Sequence, residues 1–264
     1  MKIIIAPDSF KGNLTASQVA EAMENGIKRV LPQAECIKIP MADGGEGTVM
    51  ALLDAVGGTL HSQEVQGPLG RQVTARYGLL ADNKTAVIEM AEASGLPLLG
   101  KDELNPLKTT SYGTGELMVD ALNRGLSRLI IGLGGSATVD GGVGMAQALG
   151  VQFLDKQGAV IQPQGAGGML DQIASIDNTH LHPGLTKTTI TVACDVANLL
   201  CGEAGAAAIF GPQKGATPEM VSTLDTNLRH LAGIIKQTSG QDILTMPGAG
   251  AAGGLGAGLV AFAG

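Results

Sequence analysis

The sequence predicts an α/β fold built around a parallel sheet, and three features carry that expectation. Short, wholly apolar runs such as residues 3–6 (Ile-Ile-Ile-Ala) suit strands buried on both faces. These runs alternate with segments of helical period, the pattern of βα units. Glycine supplies 40 of the 264 residues, about twice its usual share, with neither the three-residue period of collagen nor the serine bias of a linker. In an apolar, low-charge chain such glycine marks tight strand-to-helix turns where backbone approaches a ligand.

Residues 2–60 read as β-α-β-α. After the first strand, Thr15-Ala-Ser-Gln18 is a capping box, and Val19, Met23, Ile27 and Val30 recur at helical spacing. Residues 36–41 form the second strand and 48–56 the second helix, closed by Gly57-Gly58. From about residue 61 the texture changes. Residues 72–80 and 85–90 predict a hairpin-like strand pair turning at Asp82-Asn83. A helix over 116–123, a buried strand over 129–131, a glycine-rich loop with a helix to Leu149, and a strand over 188–196 follow. Thr217 caps a helix with Pro218 at its first position, striped by Val221, Leu224, Leu228, Leu231 and Ile235. The expected domains are 1–60 and 61–264.

Composition narrows the function. Apolar residues at 44% give material for a core, while 2% aromatics and a net charge of −7 argue against base stacking and phosphate tracking, so no nucleic-acid partner is expected. Cys36, Cys194 and Cys201 form no CxxC pair and no disulfide framework. The opening apolar run is too short for a signal peptide and meets Pro7 and Asp8 at once, which predicts a cytoplasmic protein. Residues 247–264 carry no charge, but their Gly and Ala content reads as a glycine-rich loop entering a helix, not a membrane span. Because this stretch ends without a capping residue or polar tail, further sequence is expected beyond it.

Carboxylates, hydroxyls and lysines recur at the ends of apolar strands. Residues 3–12 present Asp8, Ser9 and Lys11, and residues 39–48 present Asp43 and Glu46. The loop at 132–144 presents Ser136, Thr138 and Asp140, residues 191–195 present Asp195, and residues 210–215 add Lys214. Any one of these fits a cap or a turn. As a set they supply what phosphoryl transfer needs: amides and helix N-termini for phosphate oxygens, lysines for developing charge, and carboxylates to hold Mg²⁺ and accept a proton. No G-x-x-x-x-G-K-[ST] occurs; one G-x-G-x-x-G does, Gly248 to Gly253, after the strand-like residues 243–246.

Asp8-Ser-Phe-Lys-Gly12, Met41-Ala-Asp-Gly-Gly-Glu-Gly-Thr48, Thr110-Ser-Tyr-Gly-Thr-Gly-Glu116, Gly134-Gly-Ser-Ala-Thr-Val-Asp-Gly-Gly142, Cys194-Asp-Val196 and Phe210-Gly-Pro-Gln-Lys-Gly-Ala216 resemble the bacterial glycerate kinase family of the first type, along the whole chain. The resemblance implies ATP-dependent phosphorylation of D-glycerate at the 2-hydroxyl. It also implies a Rossmann- or flavodoxin-like domain into which a second domain, resembling the restriction-endonuclease fold, is inserted, with the active site between them. Members of that family continue past residues 247–254 to complete the first domain, so a shortened, catalytically inactive chain is a second reading. A dinucleotide-dependent oxidoreductase, resting on Gly248 to Gly253 alone, is a third. Asn198-Leu-Leu200 stands where the family pattern would have Asn-Pro-Leu.

Asp8, Asp43 and Asp195 are the candidates for metal-holding and proton-accepting carboxylates, with Asp43 and Asp195 as the metal pair. Lys11 and Lys214 are candidates to bind phosphate or the glycerate carboxylate, and Ser9, Ser136, Thr138 and the amides of Gly134 and Gly135 to donate to an oxyanion. Arg71 can clamp the substrate carboxylate bidentately or serve as a turn arginine, and Thr114 can cap a helix or meet an anion. His180 and His182 alternate but sit in loop-like surroundings, and His230 reads as a boundary residue. The expected partners are D-glycerate, ATP and Mg²⁺, with no membrane; self-association as a homodimer is left open.

Overall fold

The computed structural model describes residues 1–10, 13–162 and 165–264. Strands β1 (Lys2–Ile5) and β2 (Glu35–Lys38) pair in parallel, with Ile3 opposite Cys36. Helix α1 (Ala16–Val30) connects them and begins on the expected capping box: Thr15 Oγ1 accepts the Gln18 amide, and the Gln18 side chain accepts the Thr15 amide. The β2 ladder is regular only to Lys38, not to Met41: the Ile39 and Met41 amides still donate to the Ile5 and Pro7 carbonyls, but Pro7, opposite, has no N–H to return. Helix α2 (Thr48–Val56) occupies the expected residues.

The second sheet is mixed, not wholly parallel. Its strands are β3 (Gly58–Gln66), β4 (Gln72–Leu80), β5 (Thr85–Glu89), β6 (Arg128–Gly132) and β9 (Thr189–Ala193), in spatial order β3-β4-β5-β6-β9. The first two pairings are antiparallel and the last two parallel. Asp82 makes the β4–β5 turn by accepting the amides of Lys84 and Thr85, both at 2.9 Å. Strand β3 was not expected. It is an edge strand with polar residues on both faces, so it carries little apolar alternation, yet it pairs with β4 along its whole length. Residue 60 therefore lies inside a strand.

Helices α3 (Ala91–Ser94) and α4 (Tyr112–Asn123) lie between β5 and β6, and α5 (Val143–Ala148) follows β6. Helix α4 starts at Tyr112, a turn before the expected Glu116, because Gly113 and Gly115 are packing positions within it. A Cβ on Gly113 would fall 1.9 Å from the Gln66 carbonyl oxygen, and one on Gly115 2.4 Å from that of Met145. Thr114 is thus inside the helix, its hydroxyl 2.9 Å from that of Ser94, and is not its N-cap.

A small antiparallel pair, β7 (Gln152–Leu154) and β8 (Ser175–Asp177), precedes β9; then come α6 (Ala206–Phe210), α7 (Pro218–Ser239) and α8 (Ala251–Phe262). Thr217 caps α7 by accepting the Met220 amide. Its stripe of Leu224, Leu228, Leu231 and Ile235 builds one core cluster with Phe153 and Phe262, whose rings meet edge to face at 5.5 Å. The other cluster packs Ile88, Leu117, Leu129 and Met145 around the five-stranded sheet. Residues 243–246 make turns, not a strand. His180 and His182 lie in a loop, where His182 Nδ1 accepts the Gly184 amide; His230 bonds the Ile173 carbonyl. Among the described residues no helix is long and apolar enough to cross a membrane.

Candidate active site

The loops that leave the carboxyl ends of β2, β6 and β9 converge, and glycine makes the convergence possible. Gly44 has φ +93°, and a Cβ there would sit 2.2 Å from the Ala193 carbonyl oxygen; one on Gly134 would sit 2.4 Å from Gly45 Cα. The backbones touch directly, and the Gly134 amide donates to the Gly44 carbonyl at 3.0 Å. This contact sets Asp43, at the tip of the first loop, beside the glycine-rich loop after β6.

Around the junction lies a cavity of about 140 Å³. Asp43, Gly134, Gly135, Ser136, Asp195 and Lys214 line it, joined by Leu133, Cys194, Val196, Phe210, Gln213, Ala251 and Ala252. Six of the residues singled out in the sequence are therefore brought together. The volume falls below the roughly 300–1,000 Å³ of drug-sized sites, so it suits a small acid or a phosphoryl group. Asp43 is half-buried, and its Oδ1 accepts the Gly45 amide at 2.9 Å; Asp195 is exposed.

Lys214 is the least exposed polar group in the wall, at 1%. Its Nζ donates to Ser136 Oγ and to the Thr138 carbonyl, each at 2.7 Å. Burial pulls its pKa down to about 7, against a smaller upward pull from the charge of Asp140. Asp140 itself is wholly buried. It accepts the Ser111 amide at 2.8 Å, the Ser111 hydroxyl at 2.7 Å, and the amides of Gly142 and Gly144. Burial raises its pKa while those donors hold it down. Lys214 and Asp140 thus pin the two ends of one glycine-rich loop.

The remaining predicted residues lie elsewhere. Asp8 is exposed, accepts the Ser9 amide at 2.6 Å and does not line the cavity. Ser9 lines a separate groove with Glu46 and Gly47. Thr138 is buried behind Lys214 and contributes its carbonyl, while its hydroxyl has no partner among the described residues. Arg71 is a surface residue paired with Glu103 at 2.7 Å, not a clamp in the cavity. Lys11 lies outside the described residues. The sequence did not single out Cys194, Phe210 and Gln213 as wall residues, although they lie in the same two motifs as Asp195 and Lys214.

The glycines at 248–254 do not form a dinucleotide loop, since no strand precedes them. They bring α8 against the glycine-rich loop: a Cβ on Gly253 would fall 1.9 Å from the Thr138 carbonyl oxygen, and the Gly141 amide donates to the Gly253 carbonyl at 3.1 Å. Asn198 supports the same segment by accepting the Gly250 amide, so Leu199 stands in a loop already fixed by backbone bonds.

The description "Glycerate kinase family" matches residues 3–264. A glycerate kinase of Haemophilus influenzae is 58% identical over 261 residues, covering 98% of this chain and 68% of the relative. A glycerate 2-kinase of Escherichia coli is 52% identical over 264 residues, 100% of this chain and 69% of the relative. A crystal structure of a Salmonella typhimurium LT2 protein assigned as glycerate kinase 2 superposes with a TM-score of 0.90 at 52% identity, covering 100% of this chain and 71% of that one. With two thirds or more of each relative matched at this identity, the chain belongs to the glycerate kinase family.

Proposed function

We propose that this chain transfers the γ-phosphoryl group of ATP to the 2-hydroxyl of D-glycerate, giving 2-phospho-D-glycerate and ADP. The observation that carries the reading is the gathering of Asp43, Asp195, Lys214, Ser136, Gly134 and Gly135 around one small cavity; the Gly134 amide, expected to donate to an oxyanion, is instead taken by the Gly44 carbonyl. A three-carbon acid suits the cavity; a whole nucleotide does not, so base and ribose would lie outside it with the terminal phosphate at its mouth. The bond that forms joins the 2-oxygen to the γ-phosphorus, and the bond that breaks joins that phosphorus to the β–γ bridging oxygen. One of the two carboxylates takes the hydroxyl proton, and ADP leaves.

Among the described residues no group of three or more His, Cys, Asp or Glu could hold a metal ion. Two carboxylates on one cavity nevertheless fit Mg²⁺, which is commonly held by one or two carboxylates together with substrate phosphates and water. Asp43 and Asp195 would hold it, and when bound it neutralises charge on the phosphate oxygens. Ser9, on the neighbouring groove, and Asp8 beside it in sequence would meet the outer part of the nucleotide. The separate parallel pair β1–β2 with α1 and α2 supports reading this part as a portion of a Rossmann- or flavodoxin-like domain. The remainder is then the inserted second domain, resembling the restriction-endonuclease fold.

The test is ADP release by the purified chain supplied with ATP, Mg²⁺ and D-glycerate, with the product passed directly to enolase, which accepts the 2-phospho isomer. Glycerate-dependent ADP release feeding enolase is expected. ADP release that depends on another acceptor, or none at all, overturns the reading.

A further inference from the structure

A buried ammonium group normally finds a carboxylate, because desolvating an unpaired charge costs several kcal/mol. Lys214 has none. Its two partners, Ser136 Oγ and the Thr138 carbonyl, are neutral. None of the ion pairs among the described residues includes it. The neighbouring acid Asp140 already spends its oxygens on four donors from Ser111, Gly142 and Gly144. Yet Lys214 is not sealed in core, since it lines the cavity together with Ser136. By accepting from Nζ, the Ser136 oxygen leaves its own O–H to donate elsewhere, and no hydrogen bond among the described residues uses that proton.

We propose that Lys214 and Ser136 form an oxyanion subsite whose occupation is tied to uptake of a proton by Lys214, the bound anion supplying the counter-charge that the protein withholds. The inference rests on the kinase reading and deepens it. The occupant is an oxyanion: either the ionised carboxylate of the hydroxy acid or the phosphoryl group in transfer. With the cavity empty, burial favours the neutral amine, whose two N–H groups satisfy Ser136 and Thr138. With an anion present, the third N–H of the ammonium and the Ser136 hydroxyl make charge-assisted bonds to it. The other ionisable groups facing the site are Asp140 from the loop after β6, Asp43 from the loop after β2, and the Cys194 thiol and Asp195 after β9; Gln213 beside Lys214 is neutral.

The experiment is calorimetric titration of the full chain at pH 8 with D-glycerate and, separately, with inorganic phosphate, each in two buffers of different ionisation enthalpy. Uptake of close to one proton per bound anion is expected, because a lysine titrating near 7 is mostly neutral at that pH. Uptake with glycerate alone assigns the subsite to the carboxylate, and uptake with phosphate alone to the phosphoryl group. Lys214→Met should abolish the uptake and weaken that ligand at least tenfold. Ser136→Ala should weaken it several-fold while keeping the uptake. If Lys214→Met does not fold, by its melting curve, the wild type and Ser136→Ala decide. Binding without proton uptake, no binding of either anion, or wild-type affinity in Lys214→Met overturns the inference. ADP release seen alongside any of those results overturns the subsite and leaves the kinase reading standing, whereas proton-linked binding without ADP release does the reverse.

Discussion

The amide of Gly134 donates to the carbonyl of Gly44 at 3.0 Å, so two loops more than 80 positions apart in sequence meet with no side chain between them. Asp43 stands in one loop and Ser136 in the other, and both line the cavity beside this contact. A methyl group on Gly134 would lie 2.4 Å from Gly45 Cα, and backbone cannot yield as a flexible side chain would. Gly134→Ala is expected to cost about 1–3 kcal/mol of stability and to lower kcat/KM at least tenfold. Urea unfolding and the ADP-release assay check this together.

Asp43→Asn and Asp195→Asn test the two carboxylates. The one that accepts the hydroxyl proton should lose about 10²–10⁴-fold in kcat. The one that mainly holds Mg²⁺ should show a raised Mg²⁺ requirement that excess metal partly restores. Equal turnover to wild type in both variants would remove both residues from the chemistry.

Lys214 makes stability depend on pH in a definite direction. Its folded-state pKa, about 7, lies below its unfolded value near 10.5. Between those values the unfolded chain binds more protons, so this residue's contribution to stability rises with pH across that window. Each pH unit is worth up to about 1.4 kcal/mol. Urea unfolding at pH 7.5 and pH 9 should show wild type gaining about 1–2 kcal/mol relative to Lys214→Met. An unchanged difference would mean that Lys214 stays protonated throughout.

Asp140→Asn keeps the shape and removes the charge. An amide cannot accept all four donors, and its NH₂ would face an N–H. A loss of about 1–3 kcal/mol is expected on chemical unfolding, the scale for leaving a buried donor unsatisfied. A loss under 1 kcal/mol would show that the carboxyl is already neutral at the pH of measurement.

What could be read in the sequence was local. The Thr15–Gln18 box, the Asp82 turn and the α7 stripe depend on residues a few positions apart, and the structure contains each of them. The meeting of Ser136 and Asp195 followed from one topological rule, that neighbouring parallel strands deliver their loops to a common edge; Asp43, from the separate β1–β2 sheet, and Lys214, after α6, are brought there by packing between elements. Strand β3 escaped because an edge strand with two polar faces has no hydrophobic period. The start of α4 escaped because Gly113 and Gly115 resemble loop glycines until the partners they pack against are known. The same ambiguity shaped the reading of glycine in general: at Gly44, Gly134 and Gly253 a close neighbour is other backbone. Nor did sequence show that Asp140 would be an internal anchor while Asp43 and Asp195 reach the cavity, since burial of a carboxylate is decided by its surroundings in three dimensions.

Glu89, at the end of β5, sends its carboxylate to the Val49 amide at 2.7 Å and also accepts from the Gly47 amide, at the start of α2. Helix α2 has no side-chain cap of its own, since Gly47 precedes it. Its opening turn is therefore completed by a residue forty positions away, after an intervening hairpin has formed. This makes α2 a late arrival during folding: its leading amides gain protection from deuterium only once the sheet exists. In pulse-labelling exchange, Val49 should become protected in step with β5, and Glu89→Gln should slow that protection without delaying α1.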